Sequence, residues 1–125
     1  MKIEDFKNLT FALVKDEPII SPPKFTPLLA DPTVLLPNET PDKKWHLFAH
    51  TVFGIQHYVS ENGIDWKKNK IVKRAAMRPF IYKEGNQFYL FYEKYNGLKT
   101  IFSFLPGVKW YSQIEFMTSV DLVTW

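Results

Sequence analysis

Cysteine is absent from the 125 residues, which excludes a disulfide scaffold, a thiolate zinc site and a thiol nucleophile. Glycine is scarce at 5 residues, and neither a GxGxxG nor a GK[ST] phosphate loop occurs. No run approaches the ~20 apolar residues of a membrane-spanning helix. The N-terminal MKIEDFKNLTF breaks its apolar residues with charge and lacks the h-region of a signal peptide, so a cytoplasmic protein without a membrane partner is expected. Helical periodicity is missing too: no segment longer than about ten residues repeats its apolar positions every 3.6 residues.

Charge of one sign is only mildly in excess, with 16 Lys and Arg against 13 Asp and Glu. The dense basic stretch is KKNKIVKR, Lys67 to Arg74. It comes with no recognition helix or aromatic RNP motif, so it is expected to be a solvated connection between two sheets and not a nucleic-acid surface. His46 and His57 fall inside apolar runs and read as packing residues. No histidine spacing suits a metal, and neither metal nor cofactor is expected.

What is abundant is apolar and aromatic: 46% of residues are hydrophobic and 17% are Phe, Tyr or Trp. That is a folding composition, and its flat side chains favour strands. Short apolar runs separated by Pro, Gly, Asn and Asp predict an all-β chain. LTFALV (Leu9 to Val14) is the first expected strand, followed by a meander that prolines 18, 22, 23 and 27 keep out of regular sheet. Strands are then expected over ADPTVLL from Ala30, WHLFAHTV from Trp45 and GIQHYVS from Gly54, with Gly63 giving the turn after Ser60 its positive φ.

The pattern recurs. MRPFIY parallels ADPTVL, with Pro79 matching Pro32; QFYLFYEKY parallels KWHLFAHTV; and QIEFMTSVDLVTW parallels IQHYVSENGIDW. Ile114 then matches Ile55, Ser119 matches Ser60, and Trp125 matches Trp66. A repeat of ~40–50 residues with about four antiparallel strands is the unit of a β-propeller. The expected division is residues 1–29 as an extended segment with one strand, 30–75 as blade one and 76–125 as a truncated blade two. A small β-sandwich holding two similar meanders is the competing fold, and strand order separates the two.

These residues resemble a family. ADPTVL, WHLFAH and GIQHYVSENGIDW, preceded by EPIISP, are similar to the first blade of five-bladed glycosidase propellers. That superfamily includes the family 43 glycoside hydrolases and relatives of the invertase, levansucrase and mannoside phosphorylase type. The resemblance implies carbohydrate as ligand and Asp31 as the general base or nucleophile on the propeller axis. It also implies an acid from a later blade, outside this chain. Arg78 stands where many relatives carry a second Asp before Pro.

Topology gives a separate indication of which residues meet. The first strand of a blade begins, and the antiparallel second strand ends, on the same face. Asp31, Arg78, His50 and Glu93 are therefore expected on one rim. Glycoside hydrolysis needs two carboxyl groups; Asp31 and Glu93 are the pair at hand, Glu93 being better suited to accept a sugar hydroxyl. Arg78 suits a carboxylate or phosphate. Each has a structural reading as well: Asp31 as a strand-start residue or a partner of Arg78, Glu93 paired with Lys94 or Arg78, His50 as a satisfied polar group. Trp110 and Tyr111 are either a sugar-stacking platform or a packed loop, while Trp45, Trp66 and Trp125 are expected in the core or between sheets. A two-blade chain leaves edges open, so it is expected either to belong to a longer propeller or to self-associate through those edges.

Overall fold

The computed structural model describes residues 10, 12–13, 15–102, 105–109 and 111–125. They contain β1 (Ala30–Leu35), β2 (Trp45–Thr51), β3 (Gly54–Ser60), β4 (Lys67–Arg74), β5 (Ala76–Glu84), β6 (Gln87–Tyr95), α1 (Gly97–Phe102) and β7 (Ser112–Ser119). Among the described residues the fold is all-β apart from that one turn and a half of helix. No described helix is long and apolar enough to cross a membrane.

Both sheets are antiparallel meanders, ordered β1-β2-β3-β4 and β5-β6-β7. Every strand lies beside its sequence neighbour, and the Greek-key crossing a sandwich needs is absent among the described strands. The registers repeat as well. Trp45 pairs Ser60 and His50 pairs Ile55 in the first sheet; Phe88 pairs Ser119 and Glu93 pairs Ile114 in the second. The inner strands follow suit, with Ala30 opposite His50 and Thr33 opposite Phe48, against Met77 opposite Glu93 and Phe80 opposite Phe91.

Alternation along the strands gives each sheet two faces. The front of the first sheet presents Leu35, Phe48 and Ile55. It packs on the rear of the second, where Ile81, Phe88 and Leu90 complete one buried core. Trp125 and Phe48 meet in a T-shaped contact with ring centroids 5.7 Å apart, while Trp66 donates Nε1–H to the Gly63 carbonyl and Trp45 lies half-buried against Gly63. Hydrogen bonds stitch the sheets, among them Ile81 N–H to Thr33 Oγ1 (3.2 Å), Tyr95 O–H to the Val52 carbonyl (2.9 Å) and Lys83 Nζ to the Glu39 carbonyl (2.6 Å). Between β4 and β5 stands one residue, Ala75, at φ 51.

The turns that close the units match atom for atom. Ser60 Oγ accepts the N–H groups of Asn62 and Gly63, and Asn62 Oδ1 accepts those of Ile64 and Asp65. Ser119 Oγ likewise accepts from Asp121 and Leu122, and Asp121 Oδ1 from Val123 and Thr124. Gly63 adopts φ 75 as expected. At the matching position Leu122 takes φ 61, a conformation a branched side chain resists. Its complete burial supplies the compensation.

Two expectations are corrected. Lys67–Arg74 is not a connection but β4, the outer strand paired with β3. Its lysines line a solvated sheet edge, where charge discourages further strand addition and erases the apolar alternation of a buried strand. The insertion before β7 contains α1, which no periodicity announced. The strand expected over Leu9–Val14 falls largely outside the described residues, which there include only Thr10, Ala12 and Leu13, all exposed.

Candidate functional site

Asp31 and Arg78 each precede a proline, a context that disfavours helical backbone. Both nevertheless sit at positive φ, 50 and 52. In each inner strand the register shifts at this point, between Ala30 and Thr33 and between Met77 and Phe80. Such bulges re-aim a side chain out of the strand's alternation. Left-handed backbone at a non-glycine residue costs on the order of 1–3 kcal/mol and is held by its surroundings.

The bulges bring the expected residues together on one rim. His50 is buried at the end of β2, and its Nδ1 accepts the Arg78 N–H at 3.3 Å. That bond leaves the proton of the neutral ring on Nε2. Asp31 Oδ2 lies 3.5 Å from the same Nδ1, a neighbouring charge and not a hydrogen-bond partner. Burial draws the imidazole below its ordinary pKa; Asp31 opposes that shift and Arg78 adds to it.

Arg78 Nη1 grips Glu93 Oε2 at 2.6 Å. The Glu93 side chain is 6% exposed and the Arg78 side chain 64%, so an open cation caps a buried carboxylate. Of the pairings open to Arg78, the one with Asp31 is not formed. Asp31 keeps its side chain 53% exposed on the rim. The rim thus combines an open carboxylate, a buried neutral imidazole and a clamped ion pair.

The β6–β7 connection leaves from the same end of the sheet, since Tyr95 pairs Ser112 there. A cavity of about 220 Å³ sits at its root, lined by Lys94, Tyr95, Asn96, Tyr111 and Gln113. Tyr111 is exposed, but Lys99 Nζ covers one ring face at 4.5 Å from the centroid. Trp110 lies outside the described residues. Lys94 pairs with Glu115 at 2.7 Å, not with Glu93.

Sequence reasoning missed a polar chain beneath the rim. His46 and His57 do pack, their rings stacked 5.0 Å apart, but they also hydrogen-bond. Asn69 donates to His57 Nδ1 (3.1 Å), His57 Nε2–H to His46 Nδ1 (2.8 Å), and His46 Nε2–H to Asp42 (2.9 Å). Only this direction gives every ring nitrogen one role. Burial pushes His57 down to about 3, with His46 and Lys70 adding to the shift, so its ring is neutral. The four partners come from β2, β3, β4 and a turn, a spacing that carries no linear signal. No cluster of His, Asp and Glu that could hold a metal occurs among the described residues.

No family model matches the chain, and no curated protein matches it in sequence. In structure it is similar to a thermostable family-43 glycoside hydrolase known from its crystal structure, with a TM-score of 0.53 and 17% identity over 74% of this chain. The likeness spans 29% of that protein's length, and at this identity it shows the fold alone, an all-β arrangement of antiparallel sheets.

Proposed function

We propose that the chain supplies two neighbouring blades of a glycoside-hydrolase-type propeller, five-bladed by resemblance, with a carbohydrate-binding rim centred on Asp31. One observation carries the reading: two bulges at equivalent positions bring Asp31, His50, Arg78 and Glu93 to a single rim. Asp31 is the exposed carboxylate and would act as general base toward a water or hydroxyl. Glu93, with one oxygen held by Arg78, is suited to accept a sugar hydroxyl and poorly suited to give up a proton. The proton donor that glycoside hydrolysis requires would come from another blade.

A non-catalytic sugar-binding module is the second reading. Its support is Arg78, which occupies the position equivalent to Asp31 and commits its charge to Glu93. Asp31→Asn, made in a propeller completed by the blade that brings the proton donor, separates the two when assayed with aryl-glycosides and, in parallel, for oligosaccharide binding by calorimetry. Loss of turnover with binding retained supports the enzyme. Binding in both forms without turnover in either supports the module, and neither binding nor turnover in either form rejects both.

A further inference from the structure

Asn-Gly occurs twice in the chain, at Asn62 with Gly63 and at Asn96 with Gly97. The pair has a chemistry of its own, because glycine has no Cβ to keep its backbone nitrogen away from the preceding side-chain amide. That nitrogen can attack Cγ of the asparagine. The new N–Cγ bond closes a five-membered succinimide, the Cγ–Nδ2 bond breaks, and Nδ2 leaves as ammonia with the proton of the glycine amide. Water then opens the ring at either carbonyl, giving aspartate or isoaspartate. The step proceeds only where the glycine N–H and the asparagine side chain are free to meet.

The fold holds one pair and leaves the other open. Gly63 N–H is bound to Ser60 Oγ at 2.9 Å. Asn62 Oδ1 accepts from the N–H groups of Ile64 (2.9 Å) and Asp65 (2.8 Å), while its Nδ2 donates to Asp65 Oδ2 at 2.8 Å. The Trp45 ring closes the space beside Gly63, 3.1 Å from where a Cβ would stand. Ring closure there would have to break the turn that shuts the first sheet. Asn96 and Gly97 are both exposed. Among the described residues the Asn96 amide has one bond, accepted from Lys99 N–H at 3.3 Å, and the Gly97 N–H has no acceptor. Nothing lies within 4 Å of the Cβ that Gly97 lacks.

We propose that Asn96 is a self-modifying site, converting spontaneously to aspartate and isoaspartate through Gly97, and that the turn at Ser60 protects Asn62 from the same reaction. The product changes a defined place. Asn96 lines the cavity of about 220 Å³ at the root of the β6–β7 connection, together with Lys94, Tyr95, Tyr111 and Gln113. Conversion sets a carboxylate among them, and the isoaspartate form adds a methylene to the backbone of that connection. A carboxylate still accepts the Lys99 N–H, and more strongly than the amide. Asp121 accepts in the second turn the same bonds as Asn62 in the first. Asn62 is therefore spared by its geometry and not because its product would be excluded. This inference is independent of the carbohydrate reading.

Peptide mapping by mass spectrometry tests it, on the folded chain aged in mildly alkaline buffer and on the same chain held in urea. In urea the two pairs are expected to convert at similar rates. In the folded chain Asn96 is expected to convert on the order of tenfold faster than Asn62 or more, the factor that one hydrogen bond lost on the way to the barrier supplies. Gly97→Ala, which the open space admits, should slow conversion at position 96 and leave Asn62 unaffected. Ser60→Ala, with circular dichroism to check its sheets, should speed conversion at Asn62. Equal rates in the folded chain, or an Asn96 that converts only in urea, overturn the proposal. Conversion at position 96 that ignores Gly97→Ala overturns the route through the glycine nitrogen, and an Asn62 as slow in folded Ser60→Ala as in the wild type overturns its protection by Ser60.

Discussion

The two sheets share registers, bulges and closing turns, but they hold those shared shapes by different means. In the first turn Gly63 adopts positive φ without steric cost, and a Cβ there would press on the Trp45 ring at 3.1 Å. In the second, Leu122 adopts the same backbone and is buried beneath the first sheet's front. The front faces diverge further: stacked histidines in a hydrogen-bonded chain on one, exposed aromatics on the other. What the units have in common is therefore the acceptor geometry of Ser60 and Ser119 and the bulge before proline, while the packing residues follow whatever covers each face.

The sharpest way to break this comparison is at the paired phenylalanines. Phe48 is fully buried and Phe91 only half-buried at the matching position. Phe48→Ala is expected to cost about 3–5 kcal/mol, as for other buried aromatics. Phe91→Ala should cost less than about half of that when urea unfolding is followed in dilute solution. Equal losses would mean that the second front is as well covered as the first.

A middle-sized effect is expected at His57, where the second sheet has Phe116. His57→Phe keeps an aromatic ring against Phe48 but strands the Asn69 amide and His46 Nδ1, a loss of roughly 1–2 kcal/mol near neutral pH. The pH dependence should move the other way. Folded His57 refuses a proton until about pH 3, whereas the unfolded residue accepts one near its ordinary 6.5. Its contribution is present above 6.5 and is lost as pH falls toward 3. The variant should therefore lose less stability than the wild type across that window, measured by thermal melts at successive pH values.

The smallest effect separates the two turns. Backbone N–H groups of Thr124 and Val123 hold the Asp121 carboxyl down at about 2, while Asn62 makes the same bonds without titrating. The Asp121 contribution is complete above the ordinary carboxylate range, near 3.8, and disappears as pH falls through about 2. Asp121→Asn should flatten that acid limb by a small margin with little change at pH 7. An unchanged limb would show that the second turn does not depend on its carboxylate.

Much of the frame was legible because alternation and turn chemistry are local. The matching Ser, Pro and Trp positions located the repeat, and antiparallel geometry placed Asp31, His50, Arg78 and Glu93 on one rim. Strand β4 escaped because an edge strand facing water needs no apolar face. The left-handed backbone at Asp31 and Arg78 ran against the local preference before proline and is imposed by the bulge. The choice of Arg78 over Lys94 as partner of Glu93, and the Asp42–His46–His57–Asn69 chain, depend on which residues face each other across strands, which composition does not encode.

Ala75 gives the two-sheet arrangement a single adjustable joint. With one residue between β4 and β5, a lone pair of backbone angles fixes how far the second sheet is rotated over the first. The Arg78 amide reaches His50 only at that rotation. The joint thus acts as a gauge block: an inserted or deleted residue would shift the rim's two halves against each other before it disturbed either sheet.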